Sequence, residues 1–345
     1  MTSTQTEPGA SPAEPTAGDI LYLNRRDVRA AMGASIRGYV EALRSALALH
    51  AEGKTAQPLK PYLKWRENGH IADRIIAMPG YVGGEQAMAG IKWIGSKHDN
   101  PSARGIERAS AVIVLNDPDT HFPVAVMEGG EISGMRTAGV TVLACEYLAR
   151  RDFTRVALVG CGFIGRLHAL GLLESFPSIT RVLLYDRDQA AARRLADELG
   201  DVAQVCASAE EAVRGGEVVV PCTVADTPYI RAEWIEPGTF VSNISIMDVE
   251  PDAFVEVDKL VVDDWDQCNR ERKTINVLVQ AGKLSREDLH AELGDVVRGA
   301  RPGRESAEER ILLNPMGMAI EDVACAAAVY RAAREQGAGT WLTLA

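Results

Sequence analysis

The 345-residue chain has no CxxC pair, no HExxH run and no apolar stretch near the length of a membrane span. Each gap excludes something. Without paired spacing, the six cysteines (Cys145, Cys161, Cys206, Cys222, Cys268, Cys325) are expected as reduced thiols, mostly core filler in a cytoplasmic protein. The six histidines are isolated along the sequence, so no metal is expected. A chain with no span is not a membrane protein of the helical kind. Positive charge is also short, with 37 Lys and Arg against 48 Asp and Glu and a net charge of −11. That balance argues against nucleic acid and anionic membrane as partners, since both reward a basic surface. An anionic small molecule stays open, because a few local cations set a site. The opening "MTSTQTEPGASPAEPTAGD" lacks large apolar residues and both features of a signal peptide, so residues 1–18 are expected to be a disordered tail. No internal repeat is found.

What is present is a soluble globular composition, 46% hydrophobic and 25% charged, at a length that suits two domains. The most informative stretch is "VALVGCGFIGRLHAL", residues 156–170. "RVALVG" is an apolar, β-branched run of the kind a central parallel strand needs, and "RLHALGLLESF" continues at helical spacing. Gly160, Gly162 and Gly165 fall at the turn between them. The first glycine suits a tight turn, the second a close approach to pyrophosphate, and the third helix-on-strand packing. The helix start adds free N–H groups and a positive dipole end. A second strand, "RVLLYDRD", ends in Asp186, which can accept from both hydroxyls of an adenine ribose and would repel a 2′-phosphate. NAD is therefore expected over NADP, although Arg187 beside it leaves the second open.

The alternation continues with helices at "DQAAARRLADELG" and "SAEEAVRGG" and strands at "EVVVPCTV", "GTFVSNISI" and "KLVVDD". This predicts an α/β fold with a Rossmann-type parallel sheet. Upstream the texture changes. A helix near "IRGYVEALRSALALHAEG" precedes alternating strands at "DRIIAMP", "AGIKWIGS" and "SAVIVLND". A last helix, "GMAIEDVACAAAVYRAAREQGAG", is expected to return to that first region, and "RGARPGRESAEER" to be a surface loop. The expected division is 136–315 for the nucleotide-binding domain, with 19–135 and 316–345 forming an α+β substrate and dimerisation domain.

Ligands of open α/β sheets sit outside the carboxyl ends of the strands. Asp248 closes "TFVSNISIMD" and is a candidate acid or base, although position alone favours an ordinary turn carboxylate. Lys92, between Ile91 and Trp93 on an alternating strand, opposes those two and faces either solvent, the commoner case, or a cleft. Arg74 and Arg136 pose the same question.

In combination these segments resemble the ornithine cyclodeaminase/μ-crystallin family: an Arg before "MP", the "GIKW" lysine, "MRTA", "GCGFIG", "SNISIMD" and "GMAIED". Longer matches, including "VVDDWDQCNRERKTIN" and "ILLNPMGMAIEDVA", look like the branch that makes L-2,3-diaminopropionate. That resemblance implies NAD-dependent oxidative cleavage of N-(2-amino-2-carboxyethyl)-L-glutamate, an amino acid with three carboxylates, to 2,3-diaminopropionate, 2-oxoglutarate and NADH. It also implies a homodimer that serves siderophore or peptide-antibiotic synthesis. Carried over by motif, substrate binding falls on Arg74, Lys92, Arg136, Met316 and Gly317, and the catalytic roles fall on Asp248 and Lys92. Cofactor contacts fall on Gly160, Gly162, Phe163, Ile164, Gly165, Asp186, Arg136, Thr137, Thr223, Ser245, Ile246 and Met247. Small glycines usually precede the Asp where this chain has "SIMD", which argues against ornithine as substrate. The alternatives are a cyclodeaminase, a ketimine or 2-oxoacid reductase or amino-acid dehydrogenase, and a non-catalytic nucleotide-binding protein.

Overall fold

The computed structural model describes residues 18–33, 35–65, 69–270 and 273–344; positions 1–17 of the expected tail lie outside it. Two sheets face a shared layer of helices. The first comprises β1 (Asp19–Leu23), β2 (Thr55–Ala56), β3 (Tyr62–Leu63), β4 (Arg74–Val82), β5 (Met88–Ser96), β6 (Ala109–Asn116) and β7 (Pro123–Glu128). The second comprises β8 (Arg155–Val159), β9 (Arg181–Tyr185), β10 (Ala203–Val205), β11 (Val218–Pro221), β12 (Phe240–Ser242), β13 (Lys259–Val262), β14 (Ala291–Glu292) and β15 (Ile311–Asn314). The last strand, β16 (Thr340–Thr343), returns to the first sheet.

The second sheet runs β10-β9-β8-β11-β12-β15-β13-β14, with parallel pairing throughout. Strands buried on both faces must be apolar at every position, and β11 ("VVVP") and most of β8 are. Each fully buried Val or Leu there contributes about 1.5–3 kcal/mol. Strand order turns outward in both directions from β8 and β11, so a crevice opens beyond their carboxyl ends.

The first sheet runs β16-β1-β7-β6-β5-β4-β2, with β3 also on β4, and is antiparallel except where β1 meets β7. Its inner face carries Leu21, Met78, Ile113, Leu115, Ala125 and Met127, all buried. The Ala319–Gln336 helix packs across that face and ends at Gly337, which adopts φ 63°.

Helix Gly130–Leu148 lies between the sheets. Buried side chains occur on all its faces, as a helix walled in by two layers requires. The Glu128 carboxylate caps its start, accepting from the Gly130 and Glu131 N–H groups at 2.9 and 3.0 Å. The boundary expected between residues 135 and 136 falls inside this unbroken helix. All six cysteines are free thiols.

Candidate active site

Beyond β8 the chain turns at Gly160, with φ 105°, and helix Phe163–Ser175 begins with Gly162 as its cap. No side chain caps that helix, so its first N–H groups point outward. A Cβ on Gly165 would lie 2.0 Å from the Gly160 carbonyl oxygen, whereas one on Gly162 would meet nothing within 4 Å. The third glycine is needed for packing, and the second leaves open space over the uncapped helix start. These residues fit a dinucleotide pyrophosphate. Asp186, one residue past β9, braces the same turn by accepting from the Cys161 N–H at 2.8 Å. Phe163 is exposed, and the Ile164 carbonyl is bonded within the helix to His168.

Asp248 does not close a strand. β12 stops at Ser242, six residues before the Asp248 end that "TFVSNISIMD" implied. Beyond it the Asn243 and Ser245 N–H groups still donate to the Leu313 and Pro221 carbonyls, and side-chain bonds are added to these. Asn243 donates to Asn314 at 2.8 Å, Ser245 Oγ donates to Asn243 at 3.0 Å, and the Asp248 N–H donates to Ser245 Oγ at 3.1 Å. Nor is Asp248 an ordinary exposed turn residue, since it is fully buried. Thr223, just after β11, donates its hydroxyl to Asp248 Oδ1 at 2.6 Å and its N–H to Oδ2 at 3.1 Å. Thr223 in turn lies against Gly160. Burial pushes the Asp248 carboxyl up, opposed by its bonds from Thr223, Ser245 and Tyr229. Tyr229 is itself pushed up by burial and by that carboxylate. In the same segment, Met247 Sδ sits 4.0 Å from the Thr274 hydroxyl.

Lys92 reverses the commoner expectation of a solvent-facing lysine. It is 1% exposed, whereas its neighbour Trp93 is 46% exposed. The strand does alternate, but its apolar neighbours face outward, leaving the lysine on the inner face beside Met78 and Ile113. Lys92 Nζ lies 2.7 Å from Asp322 and donates to Ser133 Oγ at 3.1 Å. Arg136, one helical turn beyond Ser133, donates to Asp322 at 2.9 Å and to Glu321 at 3.1 Å. Burial raises Glu321; Asp322 is held below the usual carboxylate range by Arg136 and Lys92 despite its burial. Thr137 bonds back to the Ser133 carbonyl on the same helix.

Gly317, after β15, has φ 74° and lies so close to Arg136 that a Cβ would sit 2.8 Å from Nη1. Its N–H donates to buried Asp263 at 2.6 Å. Lys60 Nζ donates to the Met316 and Gly317 carbonyls at 2.8 and 2.6 Å. Arg74 stands in a separate arrangement, stacked 4.9 Å from the Tyr62 ring centroid with one nitrogen on the Ile71 carbonyl. Sequence reasoning missed Lys60, Tyr62, Tyr229, Asp263, Arg270, Lys273, Glu321 and Asp322. Several lie inside stretches that carried the resemblance, so the signal was the motif and not the residue.

The histidines are not all isolated in space. His70 and His98 stack at 4.2 Å, and with Asp73 their ligand atoms lie within 4.8 Å of one another. Asp73 is already bonded by His98 and Lys97.

The sequence pattern of the ornithine cyclodeaminase/mu-crystallin family matches residues 21–337. The chain belongs to that family. A Staphylococcus aureus family member, N-((2S)-2-amino-2-carboxyethyl)-L-glutamate dehydrogenase, is 54% identical over 334 residues, covering 94% of this chain and 99% of its own. Among solved structures, an archaeal alanine dehydrogenase dimer with bound NAD is 32% identical with TM-score 0.83, covering 94% of this chain and 99% of its own. The Delta(1)-pyrroline-2-carboxylate reductase of Thermococcus litoralis, in complex with NADH and L-proline, is 29% identical with TM-score 0.85, covering 93% and 99%. The Rossmann-type fold is thus common to the family and to this chain.

Proposed function

We propose that this protein is an NAD-dependent dehydrogenase that oxidatively cleaves N-((2S)-2-amino-2-carboxyethyl)-L-glutamate to L-2,3-diaminopropionate and 2-oxoglutarate. The observation that carries this reading is the 54% identity, spread over 94% of the chain, to the dehydrogenase of that substrate. The site supports it, because cations gather at its inner wall in a protein of net charge −11.

NAD, when bound, accepts the hydride from the glutamate α-carbon. Gly160, Gly162, Phe163, Ile164 and Gly165 would hold its pyrophosphate at the turn. Asp186 would hold the ribose, and Thr137, Thr223 and Ser245–Met247 would line its inner end. Lys92 and Arg136 bind the α-carboxylate and fix the reacting carbon. Asp248 takes the proton from the substrate's secondary amine, since a protonated nitrogen cannot support hydride loss. Oxidation leaves a protonated C=N bond; Asp248, once it has released the first proton to solvent, deprotonates the water that adds to the carbon and holds that proton for the departing nitrogen. Breaking the C–N bond sends the electron pair and a proton to the departing nitrogen, which leaves as the amine of 2,3-diaminopropionate. A raised carboxyl, buried yet hydrogen-bonded, suits a group that both takes and returns a proton. A substrate with one carboxylate, such as alanine or ornithine, leaves most of the positive charge unmatched.

The protein acts as a dimer. The register places Tyr22, Tyr81, Trp93 and Val112 on the outward face of the first sheet, all exposed. A contiguous apolar face of that kind marks an interaction surface.

The purified protein, given NAD and the tricarboxylate, should form NADH. Asp248→Asn should lose about 10²–10⁴-fold in kcat while binding NADH normally. Near-full activity in that variant would contradict the role given to Asp248.

A further inference from the structure

Burial and mutual repulsion make it costly to gather cations without acids, and this chain does so around Tyr62, where only Arg74 is carried over from the family motifs as a substrate residue. Tyr62 on β3 receives two guanidinium groups, Arg74 at 4.9 Å and Arg270 at 4.4 Å from the ring centroid. Lys273 is buried, and its Nζ donates to the Gln267 carbonyl at 3.2 Å. Lys60, also buried, grips the Met316–Gly317 turn whose other side abuts Arg136. Arg270 Nη1 is buried with no hydrogen-bond partner among the described residues.

The acids nearby are already engaged. Glu321 and Asp322 pair with Arg136 and Lys92, and Asp263 accepts from the Gly317 and Asp264 N–H groups. No ion pair joins Lys60, Arg74, Arg270 or Lys273 to an acid among the described residues. Six cations therefore stand against three acids, an excess of three positive charges. Burial, then the neighbouring Lys273, pushes Lys60 down to about 8, and burial does the same to Lys273. Such an arrangement persists when an anion completes it.

We propose that Lys60, Arg270 and Lys273, arranged with Arg74 around Tyr62, form a second anion subsite that takes the substrate carboxylates remote from the reacting carbon. This rests on the tricarboxylate reading above and deepens it. Lys92 and Arg136 hold the carboxylate next to the oxidised carbon, and the second cluster sets which amino acids are accepted. Arg74 joins the remote group because its guanidinium shares the Tyr62 ring with Arg270. Flat guanidinium groups stacked on an aromatic ring stay poised without an acid partner, and their forked donors match a carboxylate.

The test compares wild type with Lys273→Met and Arg270→Gln. Turnover of the tricarboxylate is measured alongside calorimetric binding of propane-1,2,3-tricarboxylate to the NADH-loaded enzyme. Each variant should raise KM at least about tenfold with kcat within about twofold. Each should also weaken the probe by a similar factor and leave NADH binding unchanged. Lys273→Arg and Arg270→Lys should recover part of the loss, which a merely structural role would not give. Arg270, half-buried, carries the test if Lys273→Met fails to fold, as judged by NADH binding. Unchanged KM and unchanged probe affinity in a folded variant would overturn the subsite. If wild type binds the probe through these residues yet forms no NADH from the tricarboxylate, the subsite stands and the substrate reading falls.

Discussion

A methyl group added at Gly162 meets open space, while one added at Gly165 collides with the Gly160 carbonyl oxygen. The two glycines therefore fail differently. Gly162→Ala should keep its melting temperature and lose affinity for NADH, because the methyl occupies the pyrophosphate's approach. Gly165→Ala should lose both, since the helix must move off the strand. Fluorescence titration with NADH and thermal melts separate the two. Unaltered NADH affinity in Gly162→Ala would place the nucleotide elsewhere. The ionisable residues predict a pH profile as well. Burial holds Lys60, Lys92 and Lys273 at about 8, so above that pH the free enzyme loses the charges that attract the substrate. Asp248 is shifted up, so it takes a proton sooner on acidification than an ordinary aspartate and stops acting as base. kcat/KM should fall on both sides, with the alkaline limb near 8 and most of that limb in KM. A profile flat on the alkaline side would contradict the lysine roles.

Between elements, the packing of helix Gly130–Leu148 on the second sheet includes a buried polar relay. His168 is fully buried, with Nδ1 2.8 Å from the Ile164 carbonyl and Nε2 3.1 Å from the Thr141 hydroxyl, which lies 2.8 Å from Ser242 Oγ. Burial pushes its pKa down from 6.5 to about 4. The folded state thus disfavours the imidazolium, and its contribution is complete above pH 6.5 and lost as pH falls toward 4. Urea unfolding across that window should show wild type losing on the order of 3 kcal/mol from this group. His168→Leu, which cannot titrate, should start lower and lose correspondingly less; parallel curves would contradict a neutral buried histidine. Elements of this kind differ in how far the sequence announces them. The β8–turn–helix–β9 unit is legible because strand burial, glycine placement and Asp186 all lie within one short stretch. Lys92 is not, because period-two alternation assigns faces without saying which face meets the core. Asp248 is misplaced along its strand because bonds among Asn243, Ser245 and Asn314 end β12 early, and Asn314 is far away in sequence. The pairing of β1 with β16 and the Tyr62 cation cluster also join distant segments, which no local pattern encodes.

At the scale of the whole molecule, the first sheet turns one face to helix Ala319–Gln336 and the proposed cleft, and the other outward. Trp93 and Val112 are direct cross-strand neighbours on that outer face, each 46% exposed. Paired Trp93→Asp and Val112→Lys substitutions should convert a dimer to a monomer by light scattering, while a wild-type protein already monomeric at micromolar concentration would contradict the interface. The inner face carries the cations to which the proposed mechanism assigns the substrate. Lys92 rises from that face to Asp322, which it shares with Arg136, and in the mechanism proposed above Asp248 and the glycine turn of the parallel sheet face that pair. The central claim is that this cleft oxidises one tricarboxylate amino acid and splits it. The direct test is the mass balance of a reaction started with NAD and N-((2S)-2-amino-2-carboxyethyl)-L-glutamate. NADH, 2-oxoglutarate and 2,3-diaminopropionate should appear in equal amounts. Ammonia release without net NADH, or substrate left intact while alanine is oxidised, would contradict it.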